Sequence, residues 1–385
     1  MIKNRIESFI RPGGRTLLGV GPMSLNCTNA AVEIADEHNV PLLLIASRRQ
    51  IDSSEFGGGY VNGWTTEEFC KYVASKRKTE NAILARDHGG PWQSDKEKLS
   101  KLNLSDAMKS AKLSFQRDIE AGMQVIHVDP SIDIHGYLTI EETLNRAFEL
   151  YEHCWSVASK LNREILFEVG TEEQSGQEDN EAVLDHVLSS IKKFCDSIKA
   201  PMTSFVVVQC GTRVMETKNV GSLGGQDTDP SGMLRLRRMI DICNEHGVFL
   251  KEHNTDYLSD EVLRMHPVAG IHSANVAPEF GVLETRSLIK FLNDRGLKTE
   301  LERFLEISYA SKKWEKWMLP GTDATDIDRS VIAGHYVFSD PRVIDLKASV
   351  DRQTSSAGAS LDEHLKQDVK IGICRYLKNF RCIIP

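Results

Sequence analysis

The sequence predicts an α/β fold, a closed (β/α)8 TIM barrel with a C-terminal helical extension. Three observations predict it. Eight short apolar runs recur between Thr16 and Val276, and most lack the polar alternation of a half-exposed strand, as strands buried on both faces should. Stretches with apolar residues at three- and four-residue spacing separate them, so the strands are joined by long helical crossovers and run parallel. The turn after the first run, Gly19-Val20-Gly21-Pro22-Met23-Ser24, is neither a G-x-G-x-x-G fingerprint nor a lysine-bearing phosphate loop, which disfavours the open doubly wound sheet as the alternative.

In chain order the runs are Thr16–Val20, Pro41–Ala46, Ala82–Arg86, Gln124–Val128, Glu164–Val169, Ser204–Gln209, Val248–Glu252 and Ala269–Val276. Helical stripes between them include Leu144, Ala147, Phe148, Tyr151 and Cys154, then Val183, Val187, Ile191 and Phe194, then Met233, Leu236, Met239, Ile240 and Cys243. The Gly-rich run Glu55–Asn62 has no lysine anchor and reads as the cover of a pocket. Val220–Gly232 is long for a strand-to-helix connection and reads as a lid over the active end. No strand signal follows Leu301. The division expected is therefore 1–300 for the barrel and 301–385 for helices packed on it, with Trp314 and Trp317 as packing residues and Gln353–Ser360 as a mobile loop.

Composition narrows the function. The chain has 385 residues, with 47 Lys plus Arg against 55 Asp plus Glu, a formal net charge of −8. That balance argues against nucleic acid or an anionic membrane as the partner. The apolar runs fall far short of the ~20 residues that span a bilayer. The N-terminal Met1-Ile2-Lys3-Asn4-Arg5 lacks the apolar stretch of an export signal, so a cytoplasmic location is expected. Eight scattered cysteines, none in a C-x-x-C pair, read as reduced thiols.

A barrel does its chemistry where the strands finish, so the polar residue ending each run is the informative one. These are Asp87-His88, His127 with Asp129 and Ser131, Glu168 followed by Gly170 and Glu172, Gln209, Glu252-His253-Asn254, and His272 with Asn275. Barrel closure would gather them on one rim. His88, Glu168 and His253 are the metal-ligand candidates, with Gln209 either a fourth ligand or a partner for a substrate hydroxyl. Nitrogen and carboxylate donors with an open position suit one divalent metal, zinc first and Mn, Co or Ni as alternatives. Against this stands the ordinary reading of a buried histidine as a hydrogen-bonded core residue. Asp87 is open between acid/base, support for His88 and a rim hydrogen bond.

At these residues the sequence resembles a known family. Phe56-Gly57-Gly58-Gly59-Tyr60, with Gly63, Trp64, Thr65, Glu67 and Phe69, is similar to the F-G-G-Y-T-G-M-T-P-x-x-F region of the Z-type (non-catalytic) subunits of tagatose-bisphosphate aldolase. Asp87-His88-Gly89-Gly90-Pro91-Trp92-Gln93 resembles their D-H-L-G-P-x-x-W. Val206-Val207-Val208-Gln209 with Gly211, and His253-Asn254-Thr255-Asp256-Tyr257, resemble V-V-V-Q-P-G and H-S-T-D-Y. His335-Tyr336 with Asp340-Pro341 resembles the closing H-Y-W segment. That family is similar in turn to the class II metal-dependent ketose-phosphate aldolases and to ketose or uronate 4-epimerases.

The resemblance implies roles. Asp87 would be the acid/base, Glu168 a carboxylate near both metal and substrate, and Asn275 the asparagine beside the reacting carbons. His88 and His253 would hold the metal. Gln209 stands where the aldolases have another metal histidine, and Asn254-Thr255-Asp256 replaces their phosphate-binding H-G-G-S-G. Asp129, Gln209, Asn254 and Asp256 are candidates for binding the sugar. Arg48, Arg49 and Gln50 join them, since Ile45–Arg49 replaces a Glu-led segment of the Z-type subunits and its arginines suit a carboxylate or phosphate. The implied activity is a lyase: aldol cleavage or condensation of a ketose or ketose phosphate through a metal-stabilised enediolate. Epimerisation at the same site, or service as a stabilising subunit for a separate aldolase, are the alternatives. The expected partners are a small sugar or sugar phosphate and further copies of this chain, with an aldolase subunit as the other candidate.

Overall fold

A computed structural model describes residues 1–170, 180–224, 230–354 and 360–384. Glu172, the middle of the Val220–Gly232 segment and most of Gln353–Ser360 lie outside the described residues. Eight parallel strands close a barrel: β1 (Leu17–Val20), β2 (Leu42–Ser47), β3 (Ala82–Gly89), β4 (Val125–Val128), β5 (Leu166–Val169), β6 (Phe205–Val208), β7 (Phe249–Glu252) and β8 (Ser273–Val276). Each pairs with its neighbour in sequence. Leu17 to Val20 pair with Ser273 to Val276, and this closure excludes the open sheet.

Every strand falls on one of the eight apolar runs, with two differences. The third extends to Gly89, so Asp87 and His88 belong to the strand, and its register with β4 shifts between Arg86 and Gly89. The eighth begins at Ser273 because helix Asp260–Ala269 runs on until Gly270, at φ 94°, stops it. Helix starts follow their caps. The Ser24 hydroxyl accepts the Cys27 N–H, and Thr65 and Thr139 each form a reciprocal capping box with a glutamate three residues on.

Side chains alternate across a strand, so every second residue faces the barrel axis. The lower axial positions are apolar: Leu17, Leu43, Ile45, Ile83, Ala85, Val125, Leu166, Phe205 and Phe249 form one cluster. Ile2, Ile6, Phe9 and Ile10 of the N-terminal helix Ile2–Ile10 join it and plug the N-terminal end. A larger cluster lies between the strands and the surrounding helices.

Helix Leu361–Asn379 buries Leu365, Val369, Ile373, Tyr376 and Leu377 and packs on helices Leu25–Glu37 and Pro278–Asp294. Helices Lys298–Ala310 and Pro341–Thr354 gather on Pro278–Asp294 around Phe291, Phe304, Val343 and Leu346. Trp314 stacks on Tyr309, and Trp317 Nε1 donates to the Tyr336 hydroxyl at 3.2 Å. All eight cysteines are free thiols. Among the described residues no helix is long and apolar enough to cross a membrane.

Candidate active site

The alternation that gives the barrel its apolar axis turns polar one step higher. His127 lies two residues past Val125, Glu168 two past Leu166, Lys251 two past Phe249 and Asn275 two past Ser273. His127 and Glu168 stand opposite each other in the β4–β5 register. Space for this layer comes from glycine. A Cβ on Gly19 would come within 2.1 Å of Asn275 Oδ1, and one on Gly170 within 2.7 Å of His127 Nε2. Above the layer, the irregularity in β3 puts His88 at φ 46°, a left-handed conformation that costs a non-glycine residue about 1–3 kcal/mol and turns its ring towards the mouth.

Six groups converge there. His88 Nε2 faces His253 Nδ1 at 3.2 Å, and His253 Nε2 faces Glu168 Oε1 at 3.1 Å and Asn275 Nδ2 at 3.1 Å. Asp87 Oδ1 lies 3.7 Å from His127 Nδ1 and 3.9 Å from His253 Nε2, and accepts from Asn275 Nδ2 at 3.4 Å. His88, His127 and His253 form one set whose ligand atoms all lie within 4.8 Å of one another; Asp87, His127, Glu168 and His253 form another. Two donors about 2 Å from a shared tetrahedral ion stand roughly 3.3 Å apart. The spacing of His253 Nε2 to Glu168 Oε1 matches that; His88 meets the other ring nitrogen of His253, so the set Asp87, His127, Glu168 and His253 is the one that fits a divalent cation.

Two of these groups are held from behind. Lys251 Nζ donates to Glu168 Oε2 at 2.6 Å, leaving Oε1 for the centre. Asp129 Oδ2 meets His88 Nδ1 at 2.6 Å and Gln93 Nε2 at 3.0 Å, while its other oxygen accepts from Ser131. Such support fixes which ring nitrogen faces the centre. Burial works against every charge here. It pulls His253 down to about 4 in spite of Glu168 and Asp87, so this imidazole is neutral at pH 7 with a lone pair to give. Burial also opposes charge on His88, but Asp87, Asp129 and Glu168 outweigh it and lift the ring to about 9. Glu168 is held at about 2 by Lys251, His127 and His253 against the same penalty. Asp87 is driven well below the usual carboxylate range by His88, His127 and His253. Asp87 and Glu168 at the centre and Asp129 behind His88 carry three negative charges against the positive charges of Lys251 and His88.

The other candidates differ in their surroundings. Gln209 follows β6 directly and is buried. Arg48 is buried and bound to Asp52 at 2.9 Å and Glu97 at 2.5 Å. The Gln50 carboxamide closes the turn after β2 onto Ser47 and donates to Met23 Sδ. Asp256 is buried and accepts the Ala277 and Glu279 N–H groups at the start of helix Pro278–Asp294. Asn254 sits at φ 59° beside the mouth, its carbonyl taken by Asn219. His272 precedes β8 and accepts the Leu250 N–H at the opposite end of the barrel, so the expectation that it joins the rim is corrected. Arg49 lines two adjoining cavities, of about 240 and 490 Å³. The smaller is also lined by His88, Gln93 and Asp129, and the Gly-rich run borders the larger.

Sequence reasoning missed two members. His127 was noted at a strand end but not as a ligand, and Lys251 was passed over. Both were within reach of the two-residue alternation counted from Val125 and Phe249.

The comparisons with known proteins agree with this architecture. A probable tagatose 6 phosphate kinase from Sinorhizobium meliloti 1021 superposes with a TM-score of 0.73 at 18% identity, over 96% of this chain and 100% of that one. The fructuronate-tagaturonate epimerase UxaE from Cohnella laeviribosi gives 0.55 at 11%, over 96% and 82%. The fructose-bisphosphate aldolase of Campylobacter jejuni gives 0.51 at 12%, over 99% and 94%. At such identities these likenesses show a shared fold. No curated protein matches the sequence. The model of one family, described as D-tagatose-1,6-bisphosphate aldolase subunit GatZ/KbaZ-like, matches residues 21–266, and the chain belongs to that GatZ/KbaZ-like family.

Proposed function

We propose that this chain is a metal-dependent, aldolase-type lyase acting on a ketose or ketose phosphate. One observation carries the reading: Asp87, His127, Glu168 and His253 each offer a ligand atom within 4.8 Å of the others at the C-terminal mouth of a barrel. A divalent cation bound there, zinc by the nitrogen-rich donor set, would supply Lewis acidity at the ketose carbonyl and its neighbouring hydroxyl. His253, His127 and Glu168 would hold it, while His88 belongs to the alternative set with His127 and His253. Lys251 and Asp129 keep Glu168 and His88 aimed inward.

The remaining work falls to groups on this chain. Asp87 is ionised and partly open to the mouth, with Asn275 fixing its near oxygen. In the cleavage direction it takes the proton from the hydroxyl whose carbon loses its C–C bond, and in condensation it returns that proton. Asn275 Nδ2 offers a hydrogen bond to a substrate oxygen between Asp87 and His253. The narrow mouth past His88 and Ser131 leaves room for a small sugar chain. Asp87→Ala should lower turnover by about 10²–10⁴-fold with metal content and melting temperature unchanged. Unchanged turnover would remove Asp87 from the chemistry.

The family's description as an aldolase subunit favours a second reading, in which the chain supports a separate aldolase. Metal analysis of the chain purified alone separates the two. Stoichiometric zinc, with cleavage of a ketose phosphate, belongs to the enzyme. A metal-free chain that only raises the activity of an added aldolase belongs to the subunit. Product analysis distinguishes cleavage from 4-epimerisation, which the same groups would serve.

A further inference from the structure

His253 stands just past the end of β7, outside the sheet. The chain beyond it makes an irregular turn in which Asn254 and Tyr257 both adopt the left-handed conformation, at φ 59° and 62°. Residues with side chains avoid that region, and such a turn persists only where its surroundings over-determine it. The segment after β6 supplies those surroundings. Thr212 Oγ1 donates to the His253 carbonyl at 2.6 Å. Asn219 Nδ2 donates to the carbonyls of Asn254 at 2.8 Å and Asp256 at 3.0 Å. Two side chains from a different loop thus take three of the four carbonyls from His253 to Asp256.

That loop is itself tied at both ends. Val214–Met215 and Lys218–Asn219 pair antiparallel as a short hairpin. Asn219 Oδ1 accepts the N–H groups of Arg213 at 3.1 Å and Gly221 at 3.3 Å, so the side chain that grips the turn also closes the base of the hairpin. At the tip, the Glu216 N–H donates to the Trp317 carbonyl at 2.8 Å, and the Glu216 carboxylate accepts from the Thr322 hydroxyl. The C-terminal region therefore anchors the hairpin. Thr212 and Asn219 are 2% and 8% exposed, so water competes little for their bonds. A buried asparagine that satisfies loop carbonyls is ordinary. What distinguishes this pair is where its bonds end: on the main chain of the residue whose Nε2 lies 3.1 Å from Glu168 Oε1, and on the strained turn directly after it. Lys251 and Asp129 aim Glu168 and His88 through their side chains. For His253 the grip is on the backbone.

We propose that Thr212 and Asn219 are positioning residues for the metal-fitting cluster, holding the backbone at His253 so that its Nε2 points at the same place as Glu168 and His127. The inference deepens the proposed function and rests on it for the presence of a metal. It makes the hairpin after β6, with the C-terminal region that anchors it, part of the support of the centre.

The test is calorimetric titration of zinc into the metal-free full-length protein, with the visible spectrum of the cobalt(II)-loaded protein as a second readout. Thr212→Val keeps the shape and removes the hydroxyl, and it should weaken zinc affinity by about 10–100-fold, as loss of the groups that orient metal ligands does. Asn219→Ala should do the same. Thr212→Ser restores the donor and should restore wild-type affinity. The cobalt spectrum should change in Thr212→Val and return in Thr212→Ser. A lower melting temperature in Thr212→Val with zinc affinity and cobalt spectrum unchanged would overturn the proposal, and so would a serine variant as weak as the valine one. A wild type that takes up neither ion discards the metal-dependent lyase, and the imidazole signals of His253 in nuclear magnetic resonance then decide the positioning role. One sharp set in the wild type against broadened or multiple sets in Thr212→Val upholds it; identical spectra overturn it.

Discussion

Glu168 and Lys251 form a fully buried ion pair at the centre of the barrel, and the consequences are specific to these two residues. Taking both charges out of water is costly, and the pair offsets that cost only while both members are present. Lys251→Met should therefore destabilise the metal-free protein by about 3–5 kcal/mol, because Glu168 is left buried with uncompensated charge. Urea unfolding measures this, and adding Glu168→Gln should recover much of the loss. A harmless single variant would show that the lysine does not hold Glu168. The same pair shows where residue-level reading stopped. His88, Glu168 and His253 stood out as polar groups ending apolar runs. Lys251 did not, because it precedes Glu252 and reads as one more charge at a strand end. Counting two residues on from the axial Phe249 turns Lys251 inward, while Glu252 faces outward, to His266 at 2.7 Å.

At the scale of elements, all eight strands were legible because each is buried on both faces and so reads as an uninterrupted apolar run. What escaped was irregularity. Arg86, Asp87 and His88 look like the end of a strand by hydropathy. The chain stays in the sheet because Arg86 buries its guanidinium against Asp118 at 2.6 Å and bonds the Ala46 and Ile51 carbonyls. Such an arrangement carries no local pattern. The start of helix Pro278–Asp294 is a second case. Asp256, read from resemblance as a sugar-binding residue, is the acceptor for two N–H groups of that helix start. Burial and the nearby Glu279 raise its carboxyl from 3.8 to about 7, even though those N–H groups favour the charged form. A group whose folded-state pKa is raised gives stability that is complete below its unfolded pKa and is lost as pH climbs through the folded one. Asp256 should therefore make the wild type lose stability as pH rises from about 4 to 7, relative to Asp256→Asn, which keeps an acceptor oxygen but does not ionise. Parallel melting curves across that window would rule out the raised pKa.

At the scale of the whole molecule, the barrel separates stability from chemistry along its axis. The N-terminal end is sealed by hydrocarbon: Ile6 is 1% exposed and packs with Leu17, Leu43 and Phe205 under the polar layer. The C-terminal end holds the carboxylates, the imidazoles and the two cavities lined by Arg49. The plug was not legible in advance, because a nine-residue amphipathic segment before the first strand has no partner until the barrel closes beneath it. Its role separates cleanly from that of the mouth. Ile6→Ala should cost about 2–5 kcal/mol, as truncations in packed cores do. Metal uptake should stay at its wild-type value well below the melting transition, since Ile6 supports the lower layer and is not among the donors. Measuring both on one preparation makes the outcome informative. A loss of metal affinity in step with the loss of stability would mean that the two ends of the barrel are coupled, and that the ligand geometry depends on packing at the base as well as on Lys251 and Asp129.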